Sequence, residues 1–180
     1  KGYEVLLLTE AIDEWVTRGI TEFKGKKLVS ITEEGLDLDT EAEKKQIEET
    51  KKAQLERFNG LIEKIKTSLS EQVKDVVISD RLTETAVCLV SSQNDMSANM
   101  QKILSKMDGH KIENDSKRIL ELNLNHTLFE QMLSLPEDKV KSWSEILYNQ
   151  ALLAEGSSLP NLGRFSKLIS ELMVGSATKN

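Results

Sequence analysis

The chain is short of the residues that most chemistry needs. Among 180 residues there is one cysteine, two histidines, two prolines and only 4% aromatics. A single thiol, Cys88, cannot close an internal disulfide, so an oxidising compartment has no support and a cytoplasmic setting is expected. Neither histidine, His110 nor His126, has a Cys, His or carboxylate at a recognised metal-ligand spacing, which argues against a metal site. No apolar run approaches the roughly 18 residues of a membrane span. Basic charge is also in deficit, with 24 Lys and Arg against 30 Asp and Glu, a net charge of -6. Phosphate-backbone binding relies on clustered cations, so nucleic acid is not an expected partner. The opening Lys1-Gly2-Tyr3-Glu4 is neither an initiator methionine nor a signal peptide, and it predicts a chain that begins inside a longer protein.

What is present is a foldable composition: 38% apolar and 30% charged residues support a buried core and a charged surface. Residues 1 to 31 read as strand, helix, strand, with Glu4 to Leu8, Glu10 to Thr21, and Lys27 to Ile31 after a turn at Gly25. Such a fragment cannot cover both faces of a sheet, so these strands are expected to belong to a larger α/β unit. Residues 32 to 57 hold nine acids and five bases, a charged linker turning into a helix at the capping box Thr40-x-x-Glu43. Phe58, Leu61, Ile62, Ile65 and Leu69 then share one helical face, where a core begins. The reading therefore divides the chain into 1–52 and 53–180.

Two strand-like runs, Val73 to Ser79 and Thr85 to Ser92, flank a polar turn and predict an antiparallel pair. Asn94 or Asp95 caps a short helix, Met96 to Met107, ended by Asp108-Gly109. Arg118 to Asn123 reads as a third strand, and Asn125 as the cap of a helix reaching about Leu135 before Pro136. A second capping box, Ser142-x-x-Glu145, opens a helix to Glu155-Gly156, and a last helix runs from near Pro160 to near Val174-Gly175. The predicted class is α+β: an incomplete α/β end, then a small three-stranded sheet with helices and a C-terminal helical hairpin.

Catalytic motifs fail on inspection. Gly19 to Lys27 imitates a phosphate loop, but the spacing is wrong and Lys27 stands where Ser or Thr would hold magnesium. Cys88 lies within an apolar strand, the setting of a small buried hydrophobe, whereas a nucleophile needs an exposed electropositive site and a base. Asn114-Asp115-Ser116 and Asn125-His126-Thr127 fit a glycosylation pattern that has meaning only in a secreted protein. No catalytic residue is assigned, and a hydrolase or transferase stays only as a third option.

Three features go beyond an ordinary core. The helix from Met96 places Met96, Met100, Ile103, Leu104 and Met107 on one side, and flexible thioethers suit both core filling and an adaptable binding surface. Trp15, beside Asp13-Glu14, is either a partly buried anchor or a partner grip. The last two helices carry broad apolar stripes: Trp143, Ile146, Leu147, Leu152 and Leu153 on one, Leu162, Phe165, Leu168, Ile169, Leu172 and Met173 on the other. A hairpin of such helices either packs on the chain's own sheet or pairs with a second hairpin as a four-helix bundle.

These residues carry a resemblance. Glu4 to Leu8 with Ile12 to Trp15, and Glu22 to Ile31, look like the end of the middle domain of the ninety-kilodalton heat-shock protein chaperones. Val73 to Val76 with Ser79 to Leu82, Met96 to Met100, Leu120 to Asn123 and Gln150 to Gly156 resemble that family's C-terminal dimerisation domain. Trp15 and the Met-rich segment favour the bacterial HtpG branch. The resemblance implies a stress-response chaperone that assists protein folding, a homodimer driven by ATP and magnesium bound in an N-terminal domain absent here, with no cofactor in this part. It further implies a four-helix dimer interface from the last two helices, including Ile146, Leu147, Gln150, Leu153, Leu162, Phe165, Leu168, Ile169, Leu172 and Met173. Client proteins in non-native states would meet Glu14, Trp15, Met96, Met100, Ile103, Leu104 and Met107, with the exposed reading of that helix taking precedence. The alternative is a purely structural dimerisation module, with clients held elsewhere. The ending Thr178-Lys179-Asn180 lacks the Met-Glu-Glu-Val-Asp tail of eukaryotic cytosolic members and an endoplasmic retention signal, so tail-docking cochaperones are not expected.

Overall fold

The computed structural model describes residues 3–8, 10–31, 40–92, 95, 100, 103–104 and 117–177. The first helix, α1 (Ala11–Gly19), starts where local chemistry dictates: the Asp13 carboxylate accepts from the Glu10 backbone N–H at 3.1 Å, half of a reciprocal capping box. Strands β1 (Glu22–Phe23) and β2 (Lys26–Lys27) form a minimal antiparallel hairpin. Its turn needs two successive positive φ angles, Lys24 at 48° and Gly25 at 76°, which match the right-handed twist of paired strands. The strands expected over Glu4 to Leu8 and Lys27 to Ile31 are otherwise absent, and the helix stops at Gly19 rather than Thr21. A strand is stable only against a neighbour, and Val5, Leu6, Leu7, Val29 and Ile31 all face solvent here.

Helix α2 (Glu41–Ser68) begins at the expected capping box: the Glu43 N–H donates to Thr40 Oγ1 at 3.3 Å while Glu43 Oε2 accepts from the Thr40 N–H at 2.8 Å. At 1.5 Å per residue its 28 residues span about 42 Å. It runs without a break through positions 52 and 53. The outer half is polar and largely exposed; the inner half buries Phe58, Leu61, Ile62 and Ile65, followed by Leu69 at the C-cap. Lys66 in its last turn complements the helix dipole and pairs with Asp75 at 2.8 Å.

The main sheet contains β3 (Val73–Ile78), β4 (Val87–Val90) and β5 (Arg118–Leu122) in the order β3-β5-β4. The expected β3/β4 hairpin is thereby corrected. The last strand lies in the middle, parallel to β3 and antiparallel to β4. The most buried strand takes the central place, where both of its edges are paired. Pleating puts Val76, Val87, Leu120 and Leu122 on one face, toward the core, and Cys88, Val90, Ile119 and Glu121 on the other.

Helix α3 (Thr127–Met132) is capped by His126, not Asn125: His126 Nδ1 accepts from the Leu128 N–H at 3.2 Å. It ends short of Leu135. Helix α4 (Glu137–Ala154) starts directly after Pro136, with Glu137 and Asp138 in its positive first turn. Ser142 is therefore interior, its hydroxyl donating back to the Asp138 carbonyl at 3.2 Å instead of capping. The helix closes in a Schellman turn: Gly156 has φ 73°, Ser157 N–H donates to the Leu152 carbonyl at 2.8 Å and Gly156 N–H to Leu153 at 2.9 Å. Helix α5 (Leu162–Ala177) follows, Asn161 Oδ1 accepting from the Arg164 N–H at 2.9 Å. The described residues are α+β with two small sheets. One continuous core joins the inner α2 face, one sheet face, Phe129 and Met132 of α3, and Val140, Leu147 and Ala151 of α4.

Candidate functional site

The hairpin of α4 and α5 is spanned by a surface ion pair and an apolar seam. Arg164 Nε donates to both oxygens of Glu145, at 2.6 and 2.9 Å, and the contact raises the arginine's pKa. Beside it Ile146, Leu152 and Leu168 are buried outside the main core cluster. Leu147 is a core residue. The other expected interface positions divide by their angle around the helices. Phe165, Ile169 and Leu172 are half-buried, Gln150 and Leu153 exposed, and Leu162 and Met173 keep 68% and 66% of their surface in solvent. Helix α5 thus spends one apolar edge on α4 and shows another to solvent, together with Val174.

The expected client-contact residues are placed less evenly. Trp15 keeps 48% of its surface exposed on α1, near Ile12 and Val16 in sequence and also exposed. The Glu14 side chain, Met96 and Met107 lie outside the described residues. Met100 is 1% exposed, contrary to the exposed side chain expected, and Ile103 and Leu104 are half-buried. In this chain Met100 is therefore covered by its own surroundings.

One polar cluster was not read from the sequence. Glu121, on the sheet face opposite the core, is buried, and its Oε2 accepts from Arg81 Nε at 2.9 Å and from the Ser79 hydroxyl at 2.9 Å. Cys88 lies 3.6 Å from both Glu121 Oε2 and Arg81 Nη2. Burial pushes the Cys88 thiol up to about 11, the Glu121 charge and hydrogen bond reinforce the rise, and Arg81 opposes it. Burial lowers the Arg81 pKa but the bonds and charge of Glu121 more than offset it, leaving it raised. The thiol is thus held protonated and inert, as its strand setting predicts. The signal available in the sequence was an acid at a strand position pointing away from Leu120 and Leu122, with an arginine in the preceding polar turn. Asn123 is satisfied in the same economical way: its amide donates to the Thr83 and Thr85 carbonyls and accepts from the Asn125 N–H.

Among the described residues no helix is long and apolar enough to cross a membrane, and no group of three His, Cys, Asp or Glu is arranged to hold a metal ion.

Comparison with known proteins gives one consistent result. The family model described as Hsp90 protein matches residues 1–179. The chain is 51% identical over 177 residues to the chaperone protein HtpG of Bdellovibrio bacteriovorus, covering 98% of this chain and 28% of that protein. It is 40% identical to the chaperone protein HtpG of Geobacter sulfurreducens and 42% identical to that of Geobacter metallireducens, in each case over 97% of this chain and 27% of the relative. The chain spans little more than a quarter of the length of these curated relatives. On a match that runs almost from end to end, the chain belongs to the Hsp90 protein family.

Proposed function

We propose that this chain is the dimerising and client-holding part of an ATP-dependent molecular chaperone. The observation that carries the reading is α5, whose Leu168 edge closes on α4 while Leu162, Met173 and Val174 stand in solvent. Two such edges, related by a two-fold axis, would make a four-helix bundle with Phe165, Ile169 and Leu172 between them. Family membership supports the chaperone role, and the relatives at 40 and 51% identity are chaperone proteins HtpG. ATP and magnesium would be handled by parts of the longer relatives outside these 180 residues.

Light scattering over a dilution series tests the dimer. The expected mass is that of two chains down to low micromolar concentration, reduced to one by Ile169→Asp. A monomer at every concentration would remove the bundle. Client holding is tested by aggregation of an unfolded reporter protein, where Trp15→Ala is expected to weaken protection without loss of folding. The second reading, a structural dimerisation module, is favoured by the burial of Met100, which withdraws one expected contact. Unchanged protection on replacing Trp15 would select it.

A further inference from the structure

The turn after β3 contacts three separate parts of the molecule through three consecutive side chains. Ser79 reaches the central strand, donating to Glu121 Oε2 at 2.9 Å. Asp80 reaches the outer half of α2, accepting from Lys51 Nζ at 2.7 Å. Arg81 reaches both the sheet and the N-terminal segment: Nε donates to Glu121, Nη2 points at Cys88, and Nη1 donates to the backbone carbonyl of Ile31. The turn is itself braced, since Ser79 Oγ accepts from the Arg81 and Leu82 N–H groups at 3.4 and 3.3 Å. Arg81 is mostly buried and its carboxylate partner almost wholly so.

The three donor directions of a guanidinium permit this, because its planar fork holds several acceptors at fixed angles that an ammonium cannot span together. The acceptor at Ile31 is a backbone carbonyl, so the contact depends on where the chain passes and not on which side chain stands there. The N-terminal sheet is two strands of two residues, below the size that is stable alone. Its order must come from what it touches.

We propose that Arg81 is a latch between the N-terminal segment and the main sheet: one guanidinium edge is anchored on Glu121, the other holds the chain at Ile31 and so sets the orientation of residues 10–31. Release of the Ile31 carbonyl frees that segment while leaving the sheet intact. The inference does not depend on the chaperone reading.

Arg81→Lys separates the two edges, since a lysine keeps a positive charge beside Glu121 but cannot also reach Ile31. The readout is amide hydrogen exchange in the 180-residue chain, compared at Leu28, whose N–H donates to the Thr21 carbonyl, and at Leu120 and Leu122 in the central strand. In Arg81→Lys, exchange at Leu28 is expected to accelerate by about tenfold, the effect of losing one charge-assisted hydrogen bond, with Leu120 and Leu122 within about twofold of the parent. Unchanged exchange at Leu28 would overturn the latch. An equal acceleration at all three amides would also overturn it, by showing that Arg81 only supports the sheet. Glu121→Gln keeps an acceptor of the same shape and leaves Nη1 on Ile31, so Leu28 should exchange at the parental rate; acceleration there as large as in Arg81→Lys would equally count against the proposal.

Discussion

The N-terminal segment, 3–31, and the body of the chain, 40–177, are both well supplied with apolar side chains, yet only the second hides them. Leu7 keeps 86% of its surface in solvent, whereas Phe129 keeps none. The difference lies in closure, not composition. In the segment only features encoded over three or four residues persist: a capping box at Glu10 and Asp13, and a turn at Lys24-Gly25. Its strand-like sequences stay irregular because ladder partners and a covering layer are nonlocal. In the body, α2, α3 and α4 cover one sheet face and each element is held by the others.

The sharpest way to break that comparison is to truncate one large residue in each region. Phe129→Ala removes a fully buried ring from the core that α2, the sheet and α4 share, and should cost about 3–5 kcal/mol in urea unfolding. Leu7→Ala should change stability by no more than about 0.5 kcal/mol. A comparable loss from both would mean that the segment shares the core after all.

The next effect tests the covered polar face of the sheet. Glu121→Ala leaves Arg81 without its carboxylate and Ser79 without an acceptor. The expected loss is about 2–3 kcal/mol, below the usual range for one partner of a buried pair because Arg81 keeps a quarter of its side chain in water. Circular dichroism melts of the variant against the parent measure it. Thr40→Ala acts on the other end of α2 and should cost about 1 kcal/mol by removing the cap. Its effect is expected as faster exchange in the first turns of α2, with Phe58 to Ile65 unchanged; spread through the whole helix would show that its outer half is not independent of the core.

How far the fold was legible follows the same division between local and nonlocal signals. The Thr40 cap, the apolar stripe from Phe58 to Leu69, the Arg118 strand and the Gly156 stop were all readable because each is a spacing rule satisfied within a few residues. The pairing of β3 with β5 was not, since parallel pairing leaves no turn between its strands and the nearby β4 offered a false hairpin. Ser142 and Asn125 were misread as caps because a capping sequence is ambiguous when a stronger start, Pro136-Glu137, or an adjacent acceptor, His126 Nδ1, competes. At the candidate site the apolar stripes of the hairpin were visible, but periodicity gives a face and not its exposure. Only three-dimensional packing separates Leu168 from Met173, or turns Met100 inward.

An effect confined to alkaline pH concerns the one thiol, and it asks whether the sheet's second face is as closed as its first. Burial, with the Glu121 carboxylate reinforcing and Arg81 opposing, raises Cys88 from 9.0 to about 11 in the folded chain. The folded state therefore keeps a proton that the unfolded state has already lost between these two values. Stability from this group is fully present below pH 9 and declines as pH rises toward 11. Urea midpoints across that window should fall more steeply in the parent than in Cys88→Ala, because the alanine variant retains every other titrating group, Tyr148 included, and lacks only the thiol. Equal slopes would mean that water reaches Cys88 freely, and the Arg81–Glu121 face would then be an open surface instead of a second covered layer.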